Sequence, residues 1–283
     1  FLFELKGNNL SLSASDLETM MRVEIEVKDA TNDVRICIPS KILTEYLKNL
    51  PDQPITISVN ESDRSIEINS DFGKYKISGE NADDFPKEPL PGDASSFTIS
   101  SIALLESINK TIFAVSNDTL RPAMTGVFFQ FEEGGNLNFV ATDAHRLVQM
   151  SRRGLEHNST DGFIVPRKGL QQMRGVLPAE DTQLAISYNS SHIFITNEKL
   201  RMSCRLVDAR FPDYKAVIPT GNPYNLVINR SDLISALRRL SIFASKTTSQ
   251  VVFDIVGNSL TISSQDIDFS YEGKESMTCQ YTG

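Results

Sequence analysis

The chain repeats itself at a spacing of 127 residues. Ile38-Pro39-Ser40-Lys41 is answered by Val165-Pro166-Arg167-Lys168, Leu50-Pro51 by Leu177-Pro178, and Ile66-Glu67-Ile68 by Ile193-Phe194-Ile195, each 127 residues on. Phe85-Pro86 returns as Phe211-Pro212 after 126 residues. The run from Leu10 to Asp16 matches the run from Leu137 to Asp143, and a third version spans Leu260 to Asp266, 123 residues further on. Solenoid repeats have periods of roughly 20 to 50 residues, so a spacing this long means whole domains in tandem. Whatever one copy is, the others must be versions of it.

At 283 residues, the usual ~100–200 residues per domain allow two or three domains. The repeat favours three, each large enough to bury a core. Most of the chain reads as short strands of alternating polarity closed by turn residues. Examples are Phe1–Leu5, Leu10–Ala14, Thr56–Val59, Ser65–Asn69, Lys74–Ser78, Gly126–Phe131, Asn136–Ala141, Leu184–Tyr188, His192–Thr196, Arg201–Leu206, Val251–Ile255 and Ser259–Ser263. Lys6-Gly7-Asn8 and Glu133-Gly134-Gly135 read as hairpin turns. Four segments read as helices. Ser40–Leu50 lies between Pro39 and Pro51, and Pro166–Leu177 has a proline at each end. Ser100–Ser116 carries an apolar stripe at positions 102, 104, 105, 108, 112 and 113, and Arg230–Lys246 carries another.

Laid on the repeat, these elements give one unit of strand, helix, strands, helix, strands. The expected class is α+β, a tandem repeat of like domains divided 1–96, 97–223 and 224–283. Only the middle copy is complete. The first lacks a leading strand and helix and the third its later half, so the chain is expected to be a fragment of a longer parent.

No apolar run approaches the ~20 residues of a membrane span, and no leading segment reads as a signal peptide. Cys37, Cys204 and Cys279 are odd in number and share no metal-ligand spacing, which fits a reducing cytoplasm without metal or cofactor. Asn117-Asp118-Thr119 and Asn158-Ser159-Thr160 read as chance sequons in an Asn- and Ser-rich chain. Met20-Met21 reads as core, and His157 and His192 as surface or strand residues without partners.

The net charge of −8 argues against nucleic acid until its distribution is counted. The four helices carry +1, 0, +3 and +3, so the rest of the chain carries −15. Helices gathered on one face would offer that face to a polyanion. The plainer reading is that lysines and arginines coat the wet sides of amphipathic helices. Apart from Tyr46, aromatic residues are absent from the polar faces of the three basic helices. There is no stacking platform for single strands, so a duplex gripped through its phosphates is the better match.

Three strings are sharper still: Thr142-Asp143-Ala144-His145-Arg146-Leu147, Arg121-Pro122-Ala123-Met124-Thr125-Gly126, and Phe211-Pro212-Asp213-Tyr214-Lys215-Ala216-Val217-Ile218-Pro219. All resemble signature stretches of the bacterial sliding clamp, the β subunit of replicative DNA polymerase III, and the resemblance covers the whole chain in order. It implies the DNA-clamp fold, with antiparallel sheets outside and two helices inside each domain. It further implies a head-to-tail homodimeric ring around double-stranded DNA that acts as a processivity factor in the cytoplasm. By resemblance and position, the DNA-facing residues are Lys110, Arg167, Lys168, Arg174, Arg238 and Arg239.

The resemblance also implies a cleft for short peptides of the polymerase, clamp loader and repair proteins. Its matching positions are Arg121, Met124, Thr142, His145, Arg146, Leu147, Pro212 and Val217. Met124, Leu147, Pro212 and Val217 would be apolar wall, and Thr142, His145 and Arg146 a polar edge. Ala144 stands where the family usually has glycine, and Ala216 where many members have a basic residue. The family's C-terminal tail, which completes the cleft, has no match here. A hydrolase built on Asp143 and His145 is the enzymatic alternative, but no nucleophile elbow, P-loop or metal spacing accompanies them. A tandem β-rich adhesion protein is the other, and the missing disulfides and basic helices argue against it.

Overall fold

The spacing read in the sequence is also a period in space. In the computed structural model, which describes residues 1–157 and 160–283, the chain opens with β1 (Leu2–Lys6), β2 (Asn9–Ser15), β3 (Thr19–Glu26) and β4 (Val34–Cys37). Then come α1 (Ser40–Lys48), β5 (Thr56–Asn60), β6 (Ser65–Ser70) and β7 (Gly73–Ser78). After β8 (Ser95–Ser100) and α2 (Ser101–Thr111), the same series returns. It consists of β9 (Gly126–Glu132), β10 (Asn136–Thr142), β11 (Leu147–Arg152), β12 (Gly162–Pro166), α3 (Arg167–Val176), β13 (Gln183–Tyr188), β14 (His192–Thr196) and β15 (Leu200–Arg205). The last stretch holds β16 (Asn225–Val227), α4 (Arg230–Leu240), β17 (Val252–Val256), β18 (Ser259–Asp266), β19 (Tyr271–Thr278) and β20 (Gln280–Thr282).

Pairing follows the period. The order β4-β1-β2-β3 in the first copy is β12-β9-β10-β11 in the second, and β5-β6-β7 becomes β13-β14-β15. Both hairpin turns form as read: Gly7, Gly134 and Gly135 have positive φ, which glycine takes without a Cβ penalty. The copies are then sewn together. β3 pairs antiparallel with β15, Met21 opposite Met202 and Arg22 opposite Arg201, so one eight-stranded sheet runs β4-β1-β2-β3-β15-β14-β13-β8. Phe1–Pro212 is for this reason a single compact unit, and Asp213–Gly283 is a second, with α4 and the sheets β17-β18-β19 and β16-β20.

The register decides which face of the long sheet is buried, because side chains alternate along each strand. Ala14, Met21, Met202, Ile195, Ile186 and Phe97 stand opposite one another in successive strands, and Ile36, Phe3 and Leu12 lie on the same face. Phe97, Ile186, Ile195 and Met202 share a core with Leu104 and Ile108 of α2 and Leu170 and Met173 of α3. Phe3 and Ile36 share another with Leu43 of α1 and Ile66 and Ile68 of β6. All three helices therefore cover one side of a continuous sheet. The opposite face shows Ser13, Arg22, Arg201 and Thr196 in a row.

Several sequence expectations need correcting. The second helix stops at Thr111, whose hydroxyl bonds back to the carbonyls of Ser107 and Ile108 and competes with continued helix. Phe113 and Ile102 of its stripe are 51% and 45% exposed rather than buried. The last helix ends at Leu240, not Lys246; Ser264 Oγ bonds the Leu240 carbonyl, and Ile242 and Phe243 remain at the surface. His157 has partners after all: its ring stacks on Phe131 at 3.7 Å and Nε2 lies 3.0 Å from the Tyr188 hydroxyl. His192 Nδ1 lies 2.8 Å from Ser191 Oγ. Asn158 and Ser159 of the second sequon lie outside the described residues. No helix among the described residues is long and apolar enough to cross a membrane.

α3 reaches the sheet through Gly169, where an added Cβ would lie 2.3 Å from Cys204 Sγ and 3.5 Å from its Cβ. Gly169→Ala should cost about 1–3 kcal/mol by overpacking. Removing the sulfur leaves only an ordinary contact, so the same substitution in a Cys204→Ala background should cost much less. Urea titration of the four proteins measures this; an equal cost in both backgrounds would show that the close approach is not what requires glycine.

Candidate nucleic-acid interface and peptide site

The basic residues of the helices are not equally available. Arg174 on α3 and Arg238 on α4 are exposed, with no side-chain ion pair or hydrogen bond among the described residues. Arg167 donates from Nη1 to Asn117 Oδ1 at 2.6 Å. Lys110 Nζ sits 2.5 Å from Glu106, and Arg239 makes a two-point pair with Glu275 at 2.7 and 2.5 Å. Exposed pairs of this kind are weak because solvent screens them, so a phosphate competes readily for the cation. Lys41 and Lys48 of α1 are also exposed, and sequence reading left them out of the site. The signal was present, since Lys41 is the counterpart of Lys168 at the 127-residue offset.

Lys168 has a second occupation. Its Nζ lies 2.7 Å from Asp16 Oδ2 in the turn between β2 and β3, and Gln172 Nε2 donates to the same oxygen at 3.2 Å. Partial burial pushes the Asp16 carboxyl up. Hydrogen bonds from Lys168, the backbone N–H groups of Thr19 and Glu18, and Gln172 together outweigh that and hold it at about 2. The bond to Asp16 raises the Lys168 ammonium. A helix of the second copy is thereby bolted to a turn of the first.

The counterpart turn, 127 residues on, closes on itself. Asp143 Oδ1 accepts from the backbone N–H of His145 and of Arg146, each at 3.0 Å, as Asp16 Oδ1 accepts from Glu18 and Thr19. Here, however, the other carboxylate oxygen takes Arg146 Nε from the same turn at 3.0 Å. These backbone and arginine bonds hold the Asp143 carboxyl below its ordinary value. Thr142 Oγ1 donates to the Arg146 carbonyl at 2.8 Å and accepts from Ala144 N. Asp143 meets the backbone of His145, so the carboxylate is committed to turn structure.

Arg146 reaches outward as well. Nη2 donates to the Phe113 carbonyl at 2.7 Å, and the guanidinium carbon lies 5.4 Å from the centre of the Phe113 ring. His145 and Arg146 are exposed, and Leu147, opposite Thr142 in the β10–β11 pair, is half-buried. Arg121 pairs with Asp118 at 2.9 Å, and half-buried Met124 accepts from Ser116 N through its carbonyl. Pro212 is exposed and follows Phe211, which stacks on Phe128 of β9 at 4.8 Å. Val217 is 68% exposed and belongs to the second compact unit. Sequence reading missed Phe113 because its helical spacing looked like core.

Residues 1–89 match the family profile described as the DNA polymerase III beta subunit, N-terminal domain, and residues 98–213 match its central domain. The beta sliding clamp of Pseudomonas aeruginosa is 28% identical over 284 residues, covering all of this chain and 76% of that protein. That of Synechococcus elongatus is 26% identical, covering 97% and 74%. The crystal structure of the P. aeruginosa DNA polymerase III subunit beta superposes with a TM-score of 0.92 at 29% identity. The Thermotoga maritima subunit gives 0.88 at 28%, and both cover the whole of this chain and 76% of their own.

Two measurements check this geometry. Asp16 titrates lower in the folded protein than its ordinary 3.8, so its contribution to stability is present above that value and disappears as pH falls through about 2. Asp16→Asn should lower stability at pH 7 yet flatten its decline between pH 4 and 2; parallel declines would count against the bolt. Ala144 has φ +74, a strain of about 1–2 kcal/mol for an L-residue, partly offset in glycine by about 0.4–1 kcal/mol of unfolded-state freedom. Ala144→Gly should therefore stabilise by about 0.5–1 kcal/mol in denaturant titration.

Proposed function

We propose, from the premise that this chain belongs to the bacterial β sliding-clamp family, that two copies close head to tail around duplex DNA and tether partner proteins by short peptides. The chain is a DNA sliding clamp, a non-catalytic component of DNA replication; the hydrolase and adhesion readings are not favoured. We read it as three domains of like fold, 1–96, 97–223 and 224–283, working in the cytoplasm.

The observation that carries the ring is the β3·β15 seam. Through the repeat, β15 corresponds to β7, and β3 to β11 and β19. The pairing that joins the first copy to the second can therefore recur between β7 of one molecule and β19 of another. Both edges support this. Phe72 and Tyr75 are exposed at β7, and Phe269 and Tyr271 at β19. On the faces turned away from the helices, the first edge carries Lys74 and Lys76 and the second Glu272 and Lys274, while Glu275 points to α4 and is held by Arg239. A continuous sheet built by antiparallel addition leaves no open edge at the join.

Inside such a ring, Arg174 and Arg238 are the cations most ready for phosphate, with Lys110, Arg167, Lys168 and Arg239 sharing theirs with protein groups. Weak, sequence-blind contacts of this kind permit sliding, and retention is topological. Polymerase, clamp loader and repair proteins would dock at Arg121, Met124, Thr142, His145, Arg146, Leu147, Pro212 and Val217. A few buried apolar anchors on a flexible peptide give modest affinity, suited to exchange.

The full-length protein loaded on nicked circular duplex should be retained, and should run off the same DNA once linearised; equal retention on both would end the encirclement reading. Arg174→Gln and Arg238→Gln should each lower the log–log salt slope of DNA binding by about 0.9, and Lys168→Gln by less. Leu147→Ala should weaken a fluorescent polymerase-derived peptide at least about tenfold at unchanged melting temperature.

A further inference from the structure

The link from β7 to β8 contains Pro86-Lys87-Glu88-Pro89-Leu90-Pro91. Proline fixes its own φ at about −65° and holds the residue before it in the extended region. Phe85, Glu88 and Leu90 each precede a proline, so Lys87 alone is unconstrained in this run. Phe85 has φ −70 and ψ 138, the values of a left-handed polyproline helix. Such a helix has about three residues per turn, so every third side chain shares a ridge. Burial follows that period. Pro86 and Pro89 are half-buried, whereas Lys87, Glu88 and Pro91 are exposed and Leu90 is 80% exposed. One ridge rests on the protein, and the ridges of Lys87 with Leu90 and of Glu88 with Pro91 face solvent. Gly92, at φ +56, ends the run.

Both ends are pinned. Asp83 in the short turn Ala82–Asp84 accepts from Arg35 Nη1, and the Pro91 carbonyl accepts from Asn189 Nδ2 at 2.9 Å. Among the described residues, the N–H groups of Lys87, Glu88 and Leu90 between them make no hydrogen bond. The next link, 126 residues on, begins with the same Phe-Pro pair but has Lys215 in place of Pro89, and there Tyr214–Val217 coils into a helical turn. Proline spacing, not the repeat, sets the extended form. A rigid spacer needs only the prolines. Leu90 adds an apolar side chain beside Pro91 on the outward side, and a preformed polyproline helix loses little entropy when an aromatic-lined groove takes it. With Asp83 spent on Arg35, the link presents Asp84, Glu88 and Asp93 against Lys87, which favours a groove of positive charge.

We propose that the 86–91 link is a docking ligand for a partner protein whose aromatic groove, with a basic rim, takes Leu90 and Pro91. It uses none of the residues assigned to the DNA or peptide sites and stands apart from both readings.

The probes are two isolated polyproline-reading domains, a WW domain and an SH3 domain, each with arginine at the groove rim. Each is titrated with the chain while its tryptophan fluorescence is followed; the chain itself has no tryptophan, so the signal reports the groove. At least one domain should bind saturably. Leu90→Ala and Pro91→Ala should each weaken that binding at least about fivefold at unchanged melting temperature. Glu88→Lys should weaken it about twofold or more. Leu120→Ala removes another exposed leucine, 89% exposed and outside the link, and should change nothing. Saturable binding by neither domain, or affinity kept within about twofold in Leu90→Ala, overturns the proposal. An equal loss in Leu120→Ala marks non-specific apolar contact and overturns it too, and unchanged affinity in Glu88→Lys overturns the basic rim.

Discussion

The pairing of β3 with β15 is the contact on which the rest of the first unit depends. Without it, the chain would hold two half-sheets, each with an exposed edge and its own small core. With it, the side-chain alternation of one copy is locked to that of the next, and one face of an eight-stranded sheet is apolar along its length. α1, α2 and α3 must then lie on the same side. The segregation of positive charge onto helices, visible in the sequence only as arithmetic, becomes a spatial fact of this unit through a backbone ladder.

Duplication also shows how one turn acquires two uses. The Asp16 and Asp143 turns share their backbone bonds and a left-handed second residue, Leu17 in one and Ala144 in the other, both at φ +74. They differ in what satisfies the remaining carboxylate oxygen. Asp16 recruits Lys168 and Gln172 from the neighbouring copy and becomes a structural joint. Asp143 is satisfied by Arg146 within its own turn, which leaves the outer surface of that turn to other partners. At equivalent positions the first turn has Thr19 and the second Arg146, and the arginine satisfies from within the carboxylate oxygen that Lys168 and Gln172 satisfy in the first.

Much of this was legible beforehand. Strand alternation and the proline boundaries of α1 and α3 located most elements within a residue or two, because burial of one face imposes its period on the sequence. The seam strand β3 and its counterpart β11 are two of the eight described strands not read from alternation, the others being β4, β8, β12, β16, β19 and β20. Their faces are half-covered by neighbouring elements, so burial there follows contact rather than local pattern. Phe113 failed for the opposite reason: it has the spacing of a core residue, but the helix ends two positions earlier and turns it outward. Of the basic residues chosen from helix charge, position alone could not tell that Lys168 is spent on Asp16 while Arg174 is bare.

The sequence by itself determined the period, the unit of fold and the signature stretches of the family, because these are carried by residue types at fixed separations along the chain. Tertiary structure alone decided which strand edges meet, which cations keep their charge unopposed and which ring supports Arg146. Those outcomes depend on groups that are 33 to 185 residues apart in the chain, a range over which no local pattern constrains who becomes whose neighbour.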